Sequence, residues 1–103
     1  MEKETDVAGY LIANIQVKDP VKFEEYRQKV APLIQKFGGR YLIRGGEVRR
    51  LERNPSFHRL VILEFPTVDA AQHFYESAEY QPILKLRLDS TQSDTVLVQG
   101  YSG

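Results

Sequence analysis

The chain has 103 residues, of which 42% are hydrophobic and 27% charged, and its 14 basic residues balance its 14 acidic ones. This length and composition indicate one globular domain that can bury a hydrophobic core. The formal net charge of +0 argues against a general nucleic-acid binder, whose affinity rests on an excess of Lys and Arg.

The residue types also narrow the chemistry and the location. There is no cysteine, which excludes disulfides and thiolate ligands, and the two histidines are a weak metal signal, so we expect no metal and no cofactor. No apolar run approaches ~18 residues, so no membrane span is expected. Residues 1–7 are mostly charged or polar and lack the apolar core of a secretory signal, and they are predicted to be frayed. Residues 8–103 are predicted to form a single domain of a cytoplasmic protein.

Residues 9–17 predict the first strand, because apolar side chains alternate along them. Leu11, Ala13 and Ile15 lie on a face that is wholly apolar. The other face of this strand is mixed, with both apolar and polar side chains: Tyr10, Ile12, Asn14 and Gln16.

A helix follows this strand. Asp19 suits its N-cap and Pro20 its first position, and Gly38-Gly39 predicts its end, with one glycine in the left-handed conformation. Pro32 is expected to kink or split the helix, because it removes one backbone hydrogen bond. Apolar side chains recur along it at three- and four-residue spacing: Phe23, Tyr26, Val30, Leu33 and Phe37.

The second half of the chain begins with a short strand over residues 40–44 and a turn at Gly45-Gly46. A charged connection over 47–57 leads to residues 58–65, the strongest strand signal in the sequence. Both faces of that strand are apolar at the centre, so it is predicted to be an inner strand.

Two helices and a last strand are predicted after Pro66. Thr67 is expected to cap the first of these helices, and Pro82 indicates a separate short helix over residues 79–88. Residues 89–94 are polar and predict a loop. Residues 95–99 predict the last strand.

This order, β-α-β-β-α-β with a short extra helix, is typical of an α+β, ferredoxin-like sandwich with a four-stranded antiparallel sheet. The predicted order in space is fourth, first, third, second strand, with the helices on one face. Val96 and Val98 are expected to face the helices. The opposite, open face is expected to leave five aliphatic side chains in water: Ile12, Leu42, Leu60, Ile62 and Leu97.

The apolar open face predicts a homodimer. Monomers rarely expose a contiguous apolar patch larger than a few hundred Å², and burying each such aliphatic side chain contributes ~1.5–3 kcal/mol. A two-fold pairing covers the same patch on both subunits at once. The sequence therefore predicts a dimeric α+β barrel closed by the open faces of two sheets.

A small-molecule pocket is predicted on the same open face, at the dimer interface, because polar groups flank its apolar centre. Tyr80 and Arg87 lie two turns apart on one helix face and are expected to border it. The predicted ligand-binding residues are Tyr10, Asn14, Arg40, Arg44, Tyr80, Arg87 and Gln99. The alternative is that the polar groups of the strands satisfy one another across the interface.

Glu64 and His58 are the candidate catalytic residues. Glu64 is flanked by apolar side chains, and desolvation would raise its pKa and make it an acid/base group. The alternative is an ion pair with Arg40 on the neighbouring strand, which would lower that pKa. His58 could act as a base, although a histidine at the start of a strand is more often a surface group. Six residues of strand separate the two, so they cannot form a dyad within one subunit.

Four stretches together resemble the family catalogued as a domain of unknown function, number thirteen-thirty. They are Gly9–Asn14 leading to Asp19-Pro20, Phe37–Gly46, His58–Pro66, and Ser77–Gln81 with Leu86–Leu88. The resemblance covers about residues 8–101 and implies the dimeric α+β-barrel (ferredoxin-like) superfamily. Relatives in that superfamily include cofactor-free monooxygenases, isomerases, haem enzymes and sensing domains, so the resemblance implies an architecture and leaves the chemistry open.

Two functions therefore remain open from the sequence. The first is a homodimer that binds a small organic ligand. The second is a cofactor-independent enzyme that acts on a small organic substrate by proton transfer or oxygen chemistry. No partner other than a second copy and this small molecule is expected.

Overall fold

The computed structural model describes residues 7–102, and most of the predicted frayed start, residues 1–7, lies outside them. Within the described range, no helix is both long and apolar enough to cross a membrane. The four strands form one antiparallel sheet in the order β2-β3-β1-β4, which is the predicted ferredoxin-like topology. The elements are β1 Gly9–Val17, α1 Pro20–Lys36, β2 Arg40–Arg44, β3 Arg59–Phe65, α2 Val68–Glu76, α3 Gln81–Ser90 and β4 Thr91–Gln99.

The predicted helix boundaries rest on side-chain caps that the structure contains. The Asp19 carboxylate accepts the backbone N–H of Lys22 at 3.1 Å, and the Thr67 hydroxyl accepts that of Ala70 at 3.0 Å. Gly38 follows α1 with φ of 85°, the left-handed conformation that glycine adopts without strain. Of the two expectations for Pro32, a kink or a split, the split does not occur, because α1 runs through Pro32 as one helix. The neighbouring turns hold the helix together where that one N–H is missing.

The last helix and the last strand meet without a loop, so the predicted loop over residues 89–94 is wrong. The helix α3 reaches Ser90, and β4 begins at Thr91. Polar residues 91–94 pair with residues 14–17 of β1. The backbone N–H groups of Lys18 and Asp19 both donate to the carbonyl of Ser90, at 2.8 and 3.0 Å. Tertiary pairing with an inner strand thus overrides weak local strand propensity.

The face assignment of β4 is also the reverse of the prediction. Val96 lies opposite Ile12, and Thr95 lies opposite Ala13. Val96 and Val98 are therefore on the open face, where they are 55% and 44% exposed. Leu97 lies opposite Leu11, on the face that the helices cover. A shift of one residue in register moves every side chain of a strand to the other face.

A bulge in β2 changes which of its residues reach each face. The register with β3 shifts between Tyr41 and Ile43, so Ile43 rather than Leu42 lies opposite Ile62. Arg44 then lies opposite Val61 and shares its helix-covered face. Arg44 was predicted on the open face by simple alternation from Arg40, and the extra residue of the bulge is the reason that this is wrong.

The densest part of the core lies at one end of the helix-covered face. Phe65 and Phe74 are fully buried there, with ring centroids 5.2 Å apart. Gly39 lets α1 approach this pair, because a Cβ at that position would lie 2.6 Å from the Phe65 ring. Their neighbours in the core are Leu11, Val30, Leu33, Ile34, Leu63, Ala71, Tyr80 and Leu84. The opposite end of the same face is less tightly filled.

Candidate functional site

The less tightly filled end holds a cavity of about 50 Å³ between the helices and the sheet. Its floor is a single row across the four strands, because Arg44, Val61, Ala13 and Thr95 pair in succession. The cavity is therefore on the covered face of the sheet. The sequence predicted a pocket on the open face instead.

Aromatic and basic side chains from the three helices form the walls of the cavity. Phe23, Tyr26 and Arg27 come from α1, and Tyr75 comes from α2. Tyr80, at the N-cap of α3, and Arg87, on α3, complete the walls. Four arginines and four tyrosines line this space, and no Asp or Glu does so within the range that the structure describes. The cavity is consequently cationic and aromatic.

Arg87 is the innermost charge of the cavity and is only 3% exposed. Its Nη1 donates to the hydroxyls of Ser93 at 2.6 Å and Thr95 at 3.3 Å. No carboxylate of residues 7–102 forms an ion pair with it. Burial opposes its charge, but the neighbouring Tyr80 and Tyr26 outweigh burial and hold the pKa of Arg87 above its ordinary value. The guanidinium is thus a buried cation with neutral partners only.

Two tyrosines make a hydrogen-bonded pair beside Arg87. The hydroxyls of Tyr26 and Tyr80 are 2.9 Å apart. Burial, followed by the proximity of Tyr80, raises the pKa of Tyr26 well above its ordinary value. The Tyr26 hydroxyl therefore stays protonated at neutral pH, and the pair has a proton to donate to a ligand.

Three further arginines form an outer cluster at the other end of the cavity: Arg27, Arg44 and Arg59. Arg44 lies over the Tyr41 ring, 4.6 Å from its centroid. The Nε atoms of Arg27 and Arg59 are buried and have no hydrogen-bond partner in the described structure. Burial, followed by the charges of Arg27 and Arg44, lowers the pKa of Arg59. The cluster therefore holds like charges together with little compensation.

One acidic side chain does reach the outer cluster. Glu24 accepts from Arg27 Nη1 at 2.8 Å, and both side chains are substantially exposed. An exposed pair of this kind contributes little to stability. It leaves Arg44 and Arg59 without an ion-pair partner among the described residues.

The open face carries a different polar group, in which every charge is paired. Glu64 accepts from Arg40 Nε at 2.6 Å and from the Tyr10 hydroxyl at 3.0 Å. The hydrogen bond from Arg40, followed by that from Tyr10, lowers the pKa of Glu64. The geometry thus matches the ion-pair alternative, and the expected rise in pKa through desolvation does not occur.

The other predicted site residues lie outside the cavity. Asn14 binds the connection before β3, donating to the Ser56 carbonyl at 2.9 Å and accepting the His58 backbone N–H at 3.0 Å. The exposed His58 ring lies 3.3 Å from the Ser56 hydroxyl. Gln99 is exposed at the end of β4.

Of the predicted residues, the structure therefore brings only Arg44, Tyr80 and Arg87 to the cavity. Sequence reasoning did not place Tyr26, Arg27 or Arg59 there. One signal could have done so, because Arg59 alternates with Val61, Leu63 and Phe65 on an otherwise apolar face. A charge in such a position marks either a buried ion pair or a site.

Known structures share this architecture. A protein of unknown function from Rhodopseudomonas palustris superposes with a TM-score of 0.75 at 14% identity, over 95% of this chain and 85% of that one. A protein from Arabidopsis thaliana gives 0.63 at 17% identity, over 100% and 95% of the two chains. SnoaB, a cofactor-independent oxygenase from Streptomyces nogalater, gives 0.58 at 16% identity, over 95% and 96%. At these identities the likeness shows the fold alone, and no curated protein matches the sequence.

Fold and cavity together define a ferredoxin-like α+β protein with a cationic, aromatic cavity under its helices. The sequence model of one family matches residues 8–101, nearly the whole described chain. The chain belongs to that family, which is described as Domain of unknown function (DUF1330).

Proposed function

We propose that this protein is a homodimer that binds a small anionic organic molecule in the cavity under its helices. The observation that carries the proposal is Arg87, a guanidinium that is 3% exposed and has no carboxylate partner among residues 7–102. Removing a charge from water costs several kcal/mol unless a counter-charge and hydrogen bonds compensate. The hydroxyls of Ser93 and Thr95 supply only part of that compensation.

An anionic ligand would supply the rest. Carboxylate and enolate oxygens accept charge-assisted hydrogen bonds from a guanidinium, and these are about twice as strong as neutral ones. The Tyr26–Tyr80 pair supplies a further donor beside Arg87. A cavity of about 50 Å³ holds a few water molecules or a slender group, so the ligand is narrow or flat.

The open face supports the dimer. Ile43, Ile62, Ile12 and Val96 pair in succession across all four strands and make one aliphatic row. Val98 lies beside this row on the same face, opposite Tyr10, and is 44% exposed in the isolated chain. A second copy related by a two-fold axis would cover the row with an identical one. The dimer contact and the ligand cavity then lie on opposite faces of the sheet.

A cofactor-independent enzyme is the second candidate, and the Tyr26–Tyr80–Arg87 group favours it. A fixed cation beside hydroxyl donors would stabilise negative charge that develops on a substrate oxygen, as in an oxyanion site. The fold similarity to SnoaB is compatible with oxygen chemistry. An enzyme of this kind would convert the bound anion, whereas a binding protein would release it unchanged.

A thermal-shift experiment with benzoate tests the binding proposal. Millimolar benzoate should raise the Tm of the native protein, because a ligand that binds only the folded state stabilises it. Arg87→Met should abolish the shift. Lys85→Met is the matched control, since Lys85 is on the same helix but exposed and paired with Asp89, and it should respond like the native protein. No shift in the native protein, or equal shifts in both variants, would contradict the proposal.

The mass of any co-purified molecule distinguishes the two candidates. Native mass spectrometry of the purified protein should give a small acid bound to each subunit. The same acid recovered unchanged after incubation in air supports binding alone. An altered product that requires Tyr26, tested with Tyr26→Phe, supports the enzyme.

A further inference from the structure

We infer that the ligand of this cavity is an organic dianion, with one acidic group at Arg87 and a second at the outer cluster of Arg27, Arg44 and Arg59. The inference rests on the proposed function and specifies its ligand class. The observation behind it is that the cations of the cavity are divided between its two ends, with an apolar floor between them.

The strand register fixes this separation. Arg44 on β2 and Thr95 on β4 are the two ends of the row that forms the cavity floor, and Arg87 binds the Thr95 hydroxyl. Neighbouring strands are ~4.8 Å apart, so three steps separate the backbones of the two ends by ~14 Å. The next row repeats the arrangement, because Arg59 lies opposite Ile15 and Ile15 opposite Ser93, the second partner of Arg87.

Val61 and Ala13 occupy the middle of the row, and neither offers a polar side chain. The rings of Phe23 and Tyr26 lie on the α1 side of the cavity. A ligand that spans the cavity therefore needs an apolar, narrow middle between two acidic ends. A sugar phosphate or another polyol would leave its hydroxyls without partners there, which costs affinity.

Protein contacts hold the outer cluster in place and leave some of its donors unused. Arg59 lies over the Phe23 ring, 5.7 Å from its centroid, and its guanidinium packs onto Gly45. A Cβ at Gly45 would lie 2.5 Å from Arg59 Nη1, so only glycine leaves room for this position. The buried Nε atoms of Arg27 and Arg59 have no partner in the described structure, so the cluster has unused donors for an acidic group. Among the described residues, the acid that pairs with this cluster is Glu24, which is bound to Arg27.

Matched probes that differ by one carboxylate test the inference. Terephthalate carries an acidic group at each end of a flat ring, and benzoate carries one. Calorimetry on the native protein should give terephthalate an affinity at least about tenfold higher, since one charge-assisted contact is worth about that factor. Arg44→Gln and Arg59→Gln should each remove about this factor for terephthalate and leave benzoate unchanged. Lys29→Gln, an exposed charge on the solvent side of α1, is the control and should change neither affinity.

The outcomes separate this inference from the proposed function. Equal affinities of the native protein for the two probes would overturn the dianion and leave a monoanion site at Arg87. An equal loss of both probes in Arg44→Gln and Arg59→Gln would also overturn it, because benzoate would then depend on the outer cluster rather than on Arg87 alone. Binding of neither probe would contradict the proposed function together with the inference. A preference for terephthalate that depends on Arg44 and Arg59 but not on Lys29 supports both.

Discussion

The two faces of the sheet differ in whether their charged side chains have ion-pair partners. On the open face, Glu64 joins Arg40 and Tyr10 in a closed group in which each charge has its partner. On the covered face, Arg87 and Arg59 have no carboxylate partner among the described residues. The first arrangement is complete in the isolated chain. The second leaves cations without a counter-charge, which is the reason that we propose an anionic ligand.

This difference shows which polar residues indicate a site. Polar side chains at the ends of the open face satisfy one another, so their presence in a mixed strand pattern has a structural explanation. An unpaired cation that is buried, as Arg87 is, has none, because natural proteins almost always pair the charges that they bury. A buried charge without a partner is thus a better indicator of a candidate site here than the presence of polar side chains alone.

The largest expected effect is on the open face. Ile62→Asp places a charge at the centre of the aliphatic row on both subunits, and we expect the dimer to give way to monomer or aggregate. Like charges at a desolvated contact cost several kcal/mol. Val21→Asp is the control, because Val21 is an exposed aliphatic residue on α1 that is 83% accessible. Analytical ultracentrifugation of both variants measures this, and an unchanged dimer in Ile62→Asp, or a native protein that is monomeric at all concentrations, would contradict the dimer.

The next effect is the change in stability of the ligand-free protein when Arg87 on the covered face is replaced. We expect Arg87→Met to retain the free energy of unfolding of the native protein or to exceed it, because replacing a buried charge by an apolar side chain of similar volume is often neutral or stabilising by ~1–4 kcal/mol. Urea unfolding of the ligand-free proteins measures it. A loss of more than about 3 kcal/mol, the size expected when a charge pair that holds the fold is broken, would show that Arg87 is a structural residue.

The sequence predicted the fold closely and the site only in part. Asp19, Thr67 and Gly38 are local signals, and each marks an element boundary that the structure contains. No local sequence signal shows which side chains of the two edge strands, β2 and β4, face the helices. The bulge between Tyr41 and Ile43 carries no glycine or proline, and the pairing of residues 91–94 depends on β1 rather than on their own propensity.

Those two edge strands determine where the cavity residues lie. Simple alternation along β2, which ignores the bulge, assigns Arg44 to the open face. The reversed face assignment of β4 likewise assigns Thr95 to the open face. The sequence therefore assigned both residues to the open face, although they line the cavity on the covered face. The side chains of the inner strands were assigned to the correct faces, because their hydrophobic pattern is constrained on both faces.

A smaller effect is expected from filling the cavity. Ala13→Leu adds aliphatic volume to the cavity floor without changing any charge, and cavity filling commonly adds ~0.5–2 kcal/mol to the stability of a protein. We expect higher stability in urea together with weaker binding of benzoate. The conservative Ile12→Val on the open face should leave benzoate binding unchanged. Unaltered benzoate affinity in Ala13→Leu would mean that the ligand does not occupy the space between Ala13 and α1.

The smallest effect is expected at Glu64, where the open and covered faces can be compared by pH. Hydrogen bonds from Arg40 and then from Tyr10 hold the pKa of Glu64 below its ordinary value of 4.5. Its contribution to stability is therefore present above that ordinary value and is lost as the pH falls through the lower value of the folded protein. Glu64→Gln should make stability less dependent on pH in this acidic window and have little effect at neutral pH.

Glu64→Gln should not alter benzoate binding, and neither should His58→Gln, since both residues lie outside the cavity. Urea unfolding across the acidic range, with benzoate calorimetry at neutral pH, checks both expectations. A loss of binding in Glu64→Gln would return the site to the open face, because no residue of the Tyr10–Arg40–Glu64 group lines the cavity in the described structure.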